Sequence, residues 1–458
     1  MKIISGKFPN NIERERITTL RKYEKLNENE SQSVLGLHEI IKKQYKNVAD
    51  LVYLAHAVPY RISEFYGDFV QGDSDKMVIE AAGEKEEDNN FINEIVERND
   101  IKEKIYDWAD DQSEFGFFVL LGRVDDKDKY IIESVPQDQY FPQADGSVIF
   151  ATYKRDPADH TGHRLLCFTQ NYQIENETVL IEREAWTTNE QGIVSDKYDF
   201  EAMLEILGEK YKETEILELD DLPIRQIDNG KRSKYGFGKS DYANVMPQLA
   251  EINERSTHIS TVLLKNLDAK MVMSKDNVDK EGKVIQREVF VVDGKEEVKP
   301  EFIVNNNSMI EETREHIISE MKFISWITAV PMFEILKSSM PDRVESLRIQ
   351  LFQAVRKTDT KRSKLKKGLS DMLKIGFKMA KKNFEENIII SFSDVLPTDD
   401  LQLVQIEETK IRSGTSSRRS SMKRIENYND DEADEETEQI KTEEAIAGIG
   451  TGGEAPTL

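Results

Sequence analysis

The chain has 458 residues, with 63 Lys and Arg against 87 Asp and Glu, a formal net charge of -24 and a pI near 4.9. That length can bury a sizeable core spread over several domains. The charge makes this a poor candidate for a protein that grips DNA tightly, because a tight grip needs phosphates neutralised by Lys and Arg. An acidic wall instead repels the phosphate backbone and lets a duplex slide past, although solubility alone accounts for the charge equally well. The single cysteine, Cys167, allows no disulfide within the chain, and Leu165-Leu166-Cys167-Phe168 reads as a buried apolar run. No stretch approaches the ~20 apolar residues needed to cross a bilayer, and Met1 to Gly6 carries no signal-type core. The expectation is a soluble protein of a reducing cytoplasm.

Residues 1 to about 110 read mainly as helix. Leu51, Val52, Leu54, Ala55, Val58, Ile62, Phe65 and Phe69 recur near helical spacing, with Pro59 as an interruption or the start of a turn. Ile92, Ile95, Ile101, Ile105 and Trp108 continue the pattern after an acidic loop at Glu84 to Asp88. Strand signals come next. Phe115 to Leu121, Lys129 to Glu133, Ser147 to Tyr153, Arg164 to Thr169, Val179 to Thr187 and Leu222 to Ile227 are short and β-prone, with a turn at Asp125 to Asp128. The connections are too short for crossover helices, so these predict an antiparallel meander.

After Gly238 the period changes. Ser240 is the expected N-cap of a long amphipathic helix through Leu267, roughly 40 Å long, kinked early by Pro247. A compact β-like stretch runs from Lys275 to Glu301, in which Val289-Phe290-Val291-Val292, the turn Asp293-Gly294 and a charged return strand are the core. Ser308 to Glu311 is a capping box opening a second long helix that must stop by Pro331. Pro331 and Pro341 confine Met332 to Met340 to a loop or kinked turn. A third helix is expected from Arg343 to about Phe384, with a basic second half at Lys361, Arg362, Lys364, Lys366 and Lys367. Ile388 to Phe392 is a strand, Asp399 to Arg412 helical, Ser413 to Ser421 a small-residue loop, Asp430 to Glu444 strongly acidic, and Gly448 to Leu458 a flexible tail.

Gly238-Lys239-Ser240 comes after a strand and opens a helix, as a phosphate-binding loop does, but Ser233 stands where that motif requires glycine. The chain also lacks an alternating β-α-β rhythm. The plain reading is that Gly236 and Gly238 release a turn and Ser240 caps a helix. His160 and His163 sit in a loop with no third ligand nearby, so no zinc site is expected. The carboxylates are too numerous for any pair to stand out as general acid and base. Neither catalytic residues nor cofactor or metal ligands are expected. The basic run at Lys361 to Lys367, like Arg418, Arg419, Lys423 and Arg424 before the acidic tract, reads as a surface face paired with acidic neighbours more readily than as a nucleic-acid contact.

The order of segments is more specific than any motif. Two long amphipathic helices flank a small β module and a third comes after a Pro-containing break; each helix buries one stripe, so neighbours must cover the rest. This layout resembles the portal proteins of tailed double-stranded DNA bacteriophages, especially those of siphovirus type. The segments that carry the resemblance are Gly116 to Pro142, Pro223-Ile224 through Gly238-Lys239-Ser240-Asp241 to Ile252-Asn253, Ala329-Val330-Pro331, Ser346-Leu347, Ile390 to Pro397-Thr398-Asp399, and Ser413 to Ser421 with Asp430 to Glu444 after it. It spans about Asn47 to Glu444. Gly414-Thr415-Ser416-Ser417 departs from the more apolar pattern expected there, and the stretch up to Tyr45 matches nothing in the family pattern.

The resemblance implies an α+β portal-type subunit that assembles into a ring of about twelve copies. It implies a wing at 1–240, stem helices at 241–274 and 304–328, a clip at 275–303, a tunnel loop at 329–345, a tunnel-side helix and return to the wing at 346–400, and a crown with an acidic tail at 401–458. Lys337, Ser338, Ser339 and Arg343 are then the channel residues expected to meet passing DNA, unless Glu334, Asp342 or Glu345 pair with the two basic ones. Val289, Phe290, Val291, Val292, Asp293 and Gly294 are the expected partner-docking tip. The implied partners are the terminase large subunit, which carries the ATPase chemistry, a neck adaptor, the major capsid and scaffolding proteins, and double-stranded DNA; no membrane is involved. The implied location is the portal vertex of the virion after synthesis in the bacterial cytoplasm. The competing readings are a P-loop-like ATPase using Lys239 and Ser240, and a monomeric acidic adaptor or scaffold.

Overall fold

The computed structural model describes residues 6–36, 53–331 and 351–393, apart from breaks at 84, 126, 128, 160–163, 190, 234–235, 268–269, 275–288, 293–300 and 304–307, together with 409–412 and residues 436, 438 and 439; between 264 and 309 it describes backbone only. The chain divides into one unit of residues 1–339 and 351–393 and another of 340–350 and 394–458. Helices α1 to α9 and strands β1 to β14 all belong to the first unit.

Asn10 caps α1 (Asn11–Asn27) through a capping box with Glu13, and α2 (Ser31–Leu35) comes after a tight break. The residues before α1 lie along a later strand: Gly6 N–H donates to the Val194 carbonyl at 2.8 Å, and Val194 N–H donates to the Phe8 carbonyl at 2.9 Å. The next helix, α3 (Val58–Gln71), carries Pro59 in its first turn, where the missing N–H costs nothing. Pro59 therefore starts the helix, while Leu51 and Val52 lie outside the described residues. The acidic residues expected in a loop instead form the first turn of α4 (Glu86–Arg98), where Glu86, Glu87 and Asp88 face the positive end of the helix dipole. α5 (Ile101–Glu114) buries Ile101, Ile105, Trp108 and Ala109, but also Gln112, Ser113 and Glu114.

The expected meander is present, split into two sheets. β2 (Phe117–Val124), β3 (Tyr130–Val135) and β10 (Ile224–Asp228) form an antiparallel sheet in the order β10-β2-β3. Its middle strand is buried from Phe117 to Gly122 because helices cover the Phe118 face, while Tyr140 and Phe237 pack on Phe117 from the other side. Trp108 of α5 stacks on Phe118 at 5.9 Å between ring centres. β4 (Tyr140–Pro142), β5 (Val148–Arg155), β6 (Leu165–Glu175), β7 (Thr178–Thr188), β8 (Val194–Lys197) and β9 (Thr214–Leu217) form the second, in the order β4-β5-β6-β7-β8 with β9 also on β7. Cys167 is fully buried in β6, where burial pushes its thiol up to about 12, so it is the inert apolar residue expected. α6 (Phe200–Leu207), capped by Asp199, places Met203 and Leu204 against Phe168 and Ala185 of this sheet.

β1 (Val78–Ala81) is a strand that the helical periodicity hides. It pairs antiparallel with β14 (Ile388–Ser391), joining the helical N-terminal part to the chain's return. α7 (Met246–Leu267) has 22 residues, roughly 33 Å. It starts six residues after Ser240, beyond a turn at 241–245, so Ser240 is not its cap, and Pro247 lies in its first turn rather than kinking it. α8 (Ser308–Thr328) stops before Pro331 as expected, and α9 (Phe352–Met379) runs for 28 residues.

Between α7 and α8, β11 (Lys270–Ser274), β12 (Val289–Val292) and β13 (Glu301–Ile303) form a small sheet in the order β12-β11-β13. β12 runs parallel to β11, and β13 pairs with the other edge of β11. The turn and charged return strand expected after Val289–Val292 fall within 293–300, outside the described residues; a strand parallel to β11 cannot be joined to it by a tight turn. Asp293 and Gly294 lie outside the described residues.

Two apolar cores anchor the three long helices. One lies between the β10-β2-β3 sheet, α4, α5 and α9. The other joins Ile62, Phe65 and Tyr66 of α3 to Tyr242, Val245, Leu249 and Ile252 at the start of α7 and to Ile324 of α8.

Candidate functional site

Lys337, Ser338, Ser339 and Arg343, together with Glu334, Asp342 and Glu345, lie outside the described residues. Their roots do not. α8 ends at Thr328 and α9 starts at Phe352, and both roots come to the turn that precedes α7.

Two backbones meet at that turn. Gly116 links α5 to β2 with φ +87, and its carbonyl accepts from Asn229 N–H at 2.7 Å. A Cβ on Gly238 would sit 2.0 Å from the Gly116 oxygen, and one on Gly116 would sit 2.5 Å from the Lys239 carbonyl carbon. Gly238 is therefore a point of close chain crossing, whereas Gly236, with φ +87, releases the turn. Ser240 Oγ accepts from Tyr242 N–H at 3.0 Å and so closes a local turn. Lys239 is exposed, and α7 begins only at Met246, so no helix N-terminus faces Lys239 and Ser240. This geometry does not cradle a phosphate, and the P-loop reading is set aside.

The next residue organises the junction. Asp241 N–H donates to the Ser113 carbonyl at 2.9 Å, while its carboxylate accepts from Ser113 Oγ at 2.8 Å and from Asn229 Nδ2 at 2.9 Å. Two α9 lysines one turn apart complete it: Lys357 Nζ lies 2.8 Å and Lys361 Nζ 3.1 Å from its two oxygens. Both ammoniums also lie over the Tyr66 ring, at 4.6 and 4.7 Å from its centre. Burial pushes the Asp241 carboxyl up, but Lys361 and Lys357 overcome this and hold it well below the usual carboxylate range. Burial lowers Lys361 to about 8 against the pull of Asp241, so the pair is ionised at neutral pH. Lys357 Nζ and the Tyr66 hydroxyl both donate to the Thr328 carbonyl, in the last turn of α8.

The basic run of α9 is thereby corrected at Lys361 and Arg362, while Lys364 and Lys366 are half-buried and Lys367 is exposed. Lys361 is 1% exposed and Arg362 8%. Arg362 Nε donates to the Val70 carbonyl and Nη1 to the Ser393 carbonyl, each at 2.9 Å. These side chains are interior fastenings, not a solvated face. The signal was present: Ala354, Thr358, Lys361, Leu365, Leu369 and Met372 share one stripe, and Lys361 is the charge within it.

A second group of charges lies on α5. Burial, then Asp110 and Asp111, push Glu114 up to about 8, and burial together with its carboxylate neighbours pushes Asp110 to about 7. Asn27 of α1 donates its side-chain amide to Glu114. A folded-state pKa above the unfolded one means that unfolding releases a proton between the two values, so this contribution falls as pH rises from about 4.5 to about 8. Glu114→Gln keeps the acceptor for Asn27 and removes the charge. It should match the parent in thermal unfolding at about pH 4 and exceed it at about pH 9 by on the order of 2 kcal/mol. Equal unfolding curves at the higher pH would show that Glu114 titrates normally.

His160 and His163 lie outside the described residues, and among the described residues no group of three or more His, Cys, Asp or Glu side chains could hold a metal ion. Among the described residues no helix is long and apolar enough to cross a membrane.

The sequence family described as "Phage portal protein, SPP1 Gp6-like" matches residues 10–448. No curated protein matches the sequence. Among solved structures, the chain is similar to one in the neck of a native gene transfer agent particle computed with C12 symmetry, at 10% identity over 80% of this chain and 89% of that one, with a TM-score of 0.45. It is similar to one in the neck of an empty particle of that kind computed with C6 symmetry, at 11% identity over 83% and 92%, with a TM-score of 0.46. A chain in the virion of the native particle shares 10% identity over 82% and 91%, with a TM-score of 0.42.

Proposed function

The chain belongs to the SPP1 Gp6-like phage portal proteins, and from that membership we propose how its segments divide the portal's work. A portal subunit is structural and not an enzyme: it forms a ring at the capsid vertex of the virion and serves genome packaging and ejection. In our reading the wing is residues 1–240 with a return at 346–400, the stem is 241–274 and 304–328, the clip 275–303, the tunnel loop 329–345, and the crown 401–458. The ring holds about twelve copies.

The observation that supports this division most is the succession α7, small sheet, α8. Two helices of 22 and 21 residues pack along one another, carry a three-stranded tip, and return to one junction. Among the described residues β12 is paired on one edge only, which leaves Val289 to Val292 a strand edge for a neighbouring chain, with Asp293 and Gly294 beside it. This tip is where the terminase large subunit and then the neck adaptor dock. The wing and crown face the major capsid and scaffolding proteins, and assembly starts in the host cytoplasm.

Lys337 and Arg343 meet DNA phosphates as the duplex passes, and Ser338 and Ser339 let the loop move. Few cations per subunit suit this task, since many strong phosphate contacts repeated around a ring would hold the duplex. Lys337→Glu combined with Arg343→Glu should leave closed rings of about twelve by mass of the intact assembly. Packaged DNA should drop on the order of tenfold. Normal packaging by these rings, or no rings at all, would remove the two residues from the channel.

A further inference from the structure

The contacts at the turn before α7 go beyond holding the fold together, because one side chain joins two helix ends that the backbone keeps apart. We propose that Lys357 is the positioning residue of a latch: its ammonium bonds the Thr328 carbonyl and the Asp241 carboxylate together, so that the end of α8 and the start of α7 move as one.

Four observations carry this. The first is the division between the two lysines. Lys361, 1% exposed, already sets a positive charge against Asp241, whereas the Lys357 side chain is 27% exposed and reaches a second acceptor, the Thr328 carbonyl at 2.9 Å. Neutralising Asp241 would need one lysine; tying it to α8 needs Lys357.

The second is the way α8 stops. Ala329, immediately after Thr328, has φ +61, a conformation that an alanine adopts only when its surroundings hold it there. Ser325 Oγ donates to the Val330 carbonyl at 2.6 Å, and Thr328 Oγ1 donates to the Ile324 carbonyl at 2.8 Å, so the exit is fastened from within the helix. Lys357 and Tyr66 fasten it from outside, through both lone pairs of one carbonyl.

The third is what stands behind Asp241. Its other donors, Ser113 of α5 and Asn229 at the end of β10, belong to elements of the larger core, so a pull on the end of α8 is borne by that core. The fourth is the path of the chain. Thr328 and Lys357 are 29 residues apart, so the contact between them is made by the fold and not by the local chain.

The consequence for DNA rests on reading 329–345 as the tunnel loop: the latch then sets the stance of that loop and transmits its displacement to α7. The latch itself does not depend on that reading, and the experiment separates the two. Hydrogen exchange is measured in assembled rings of the full chain carrying Lys357→Met, Lys357→Arg or Tyr66→Phe. In Lys357→Met, amides of 324–330 and of 241–247 should both exchange about tenfold faster, with those of β6 and β7 unchanged. A side chain that merely caps α8 would move the first set alone, and that result overturns the latch; so does a rise spread over the whole chain. Lys357→Arg should hold both sets within about twofold of the parent, because a guanidinium can span the same two acceptors. Tyr66→Phe removes one donor to Thr328 and keeps the ring, so 324–330 should exchange about threefold faster even if Lys357→Met fails to assemble; no rise there counts against the latch. Packaged DNA is measured on the same rings. Faster exchange at both sites with normal packaging upholds the latch and removes the tunnel-loop reading; faster exchange with reduced packaging supports both.

Discussion

Alanine at Gly238 should cost the fold about 3 kcal/mol or more, a large part of the 5–15 kcal/mol that holds a typical domain together. The new methyl would lie 2.0 Å from the Gly116 oxygen and 2.6 Å from the Asn229 nitrogen, and both are backbone atoms that no rotamer change can move. Asn229 N–H is meanwhile bonded to that same Gly116 carbonyl, so relief at one contact breaks the other. Alanine at Gly116 faces two penalties, a φ of +87 and a Cβ 2.6 Å from the Ser240 nitrogen. Gly146 separates them. Its φ is +86 and nothing lies within 4 Å of its added Cβ, so Gly146→Ala should show the conformational cost alone, about 1 kcal/mol. Chemical denaturation of the three variants reads the difference. If Gly238→Ala unfolds no earlier than Gly146→Ala, the two backbones do not cross in contact.

The same crossing explains why Gly238-Lys239-Ser240 misleads. A glycine that admits a phosphate and a glycine that admits another backbone look alike in a sequence, since each is a demand for no Cβ. Ser233, where a phosphate loop requires glycine, was legible and pointed the right way. The partner backbone at Gly116, more than a hundred residues earlier, was not. β1 escaped for a related reason: Val78 to Ala81 offers four residues, and its ladder forms with Ile388 to Ser391 near the other end of the first unit. Long elements with a sustained period, α7, α8 and α9 among them, were legible because each carries its own apolar stripe. Their starts were less so. Ser240 looks like a cap, but its hydroxyl closes a turn two residues on, and the helix waits for Met246.

The junction itself divides in the same way. Lys361 to Lys367 reads as a solvated run when charge is followed along the chain rather than around the helix. Counted by face, Lys361 falls among Ala354, Leu365, Leu369 and Met372, and a lysine in that stripe requires a buried anion. Which anion could not be read. Asp241 is one carboxylate among 87 Asp and Glu, and only the fold brings it to α9.

Removing that carboxylate should be the most damaging change of charge among the junction's side chains. Asp241→Asn leaves Lys361, 1% exposed, without its nearest anion, and breaking a buried pair from one side costs about 3–5 kcal/mol. Asparagine keeps the shape: its one oxygen can accept from Lys357 and Asn229, and its amide, in place of the oxygen that faces Ser113, can donate to the Ser113 hydroxyl, so the loss reports chiefly the charge. The reverse change should be milder. Lys361→Met leaves Asp241 with Lys357, Ser113 and Asn229 as donors, and methionine fills much of the volume of a lysine stem, so about 1–2 kcal/mol is expected. If the two side chains form one unit, the double variant Asp241→Asn with Lys361→Met should recover about 2 kcal/mol relative to the sum of the single losses. The pH dependence adds a separate check. In Asp241→Asn the uncompensated ammonium is held below its unfolded pKa, so the unfolded chain binds the extra proton, and stability should climb as pH rises toward about 10. Additive losses in the double variant, together with a flat profile for Asp241→Asn over that range, would mean that Lys361 finds its counter-charge elsewhere, and that the turn before α7 is held by hydrogen bonds alone.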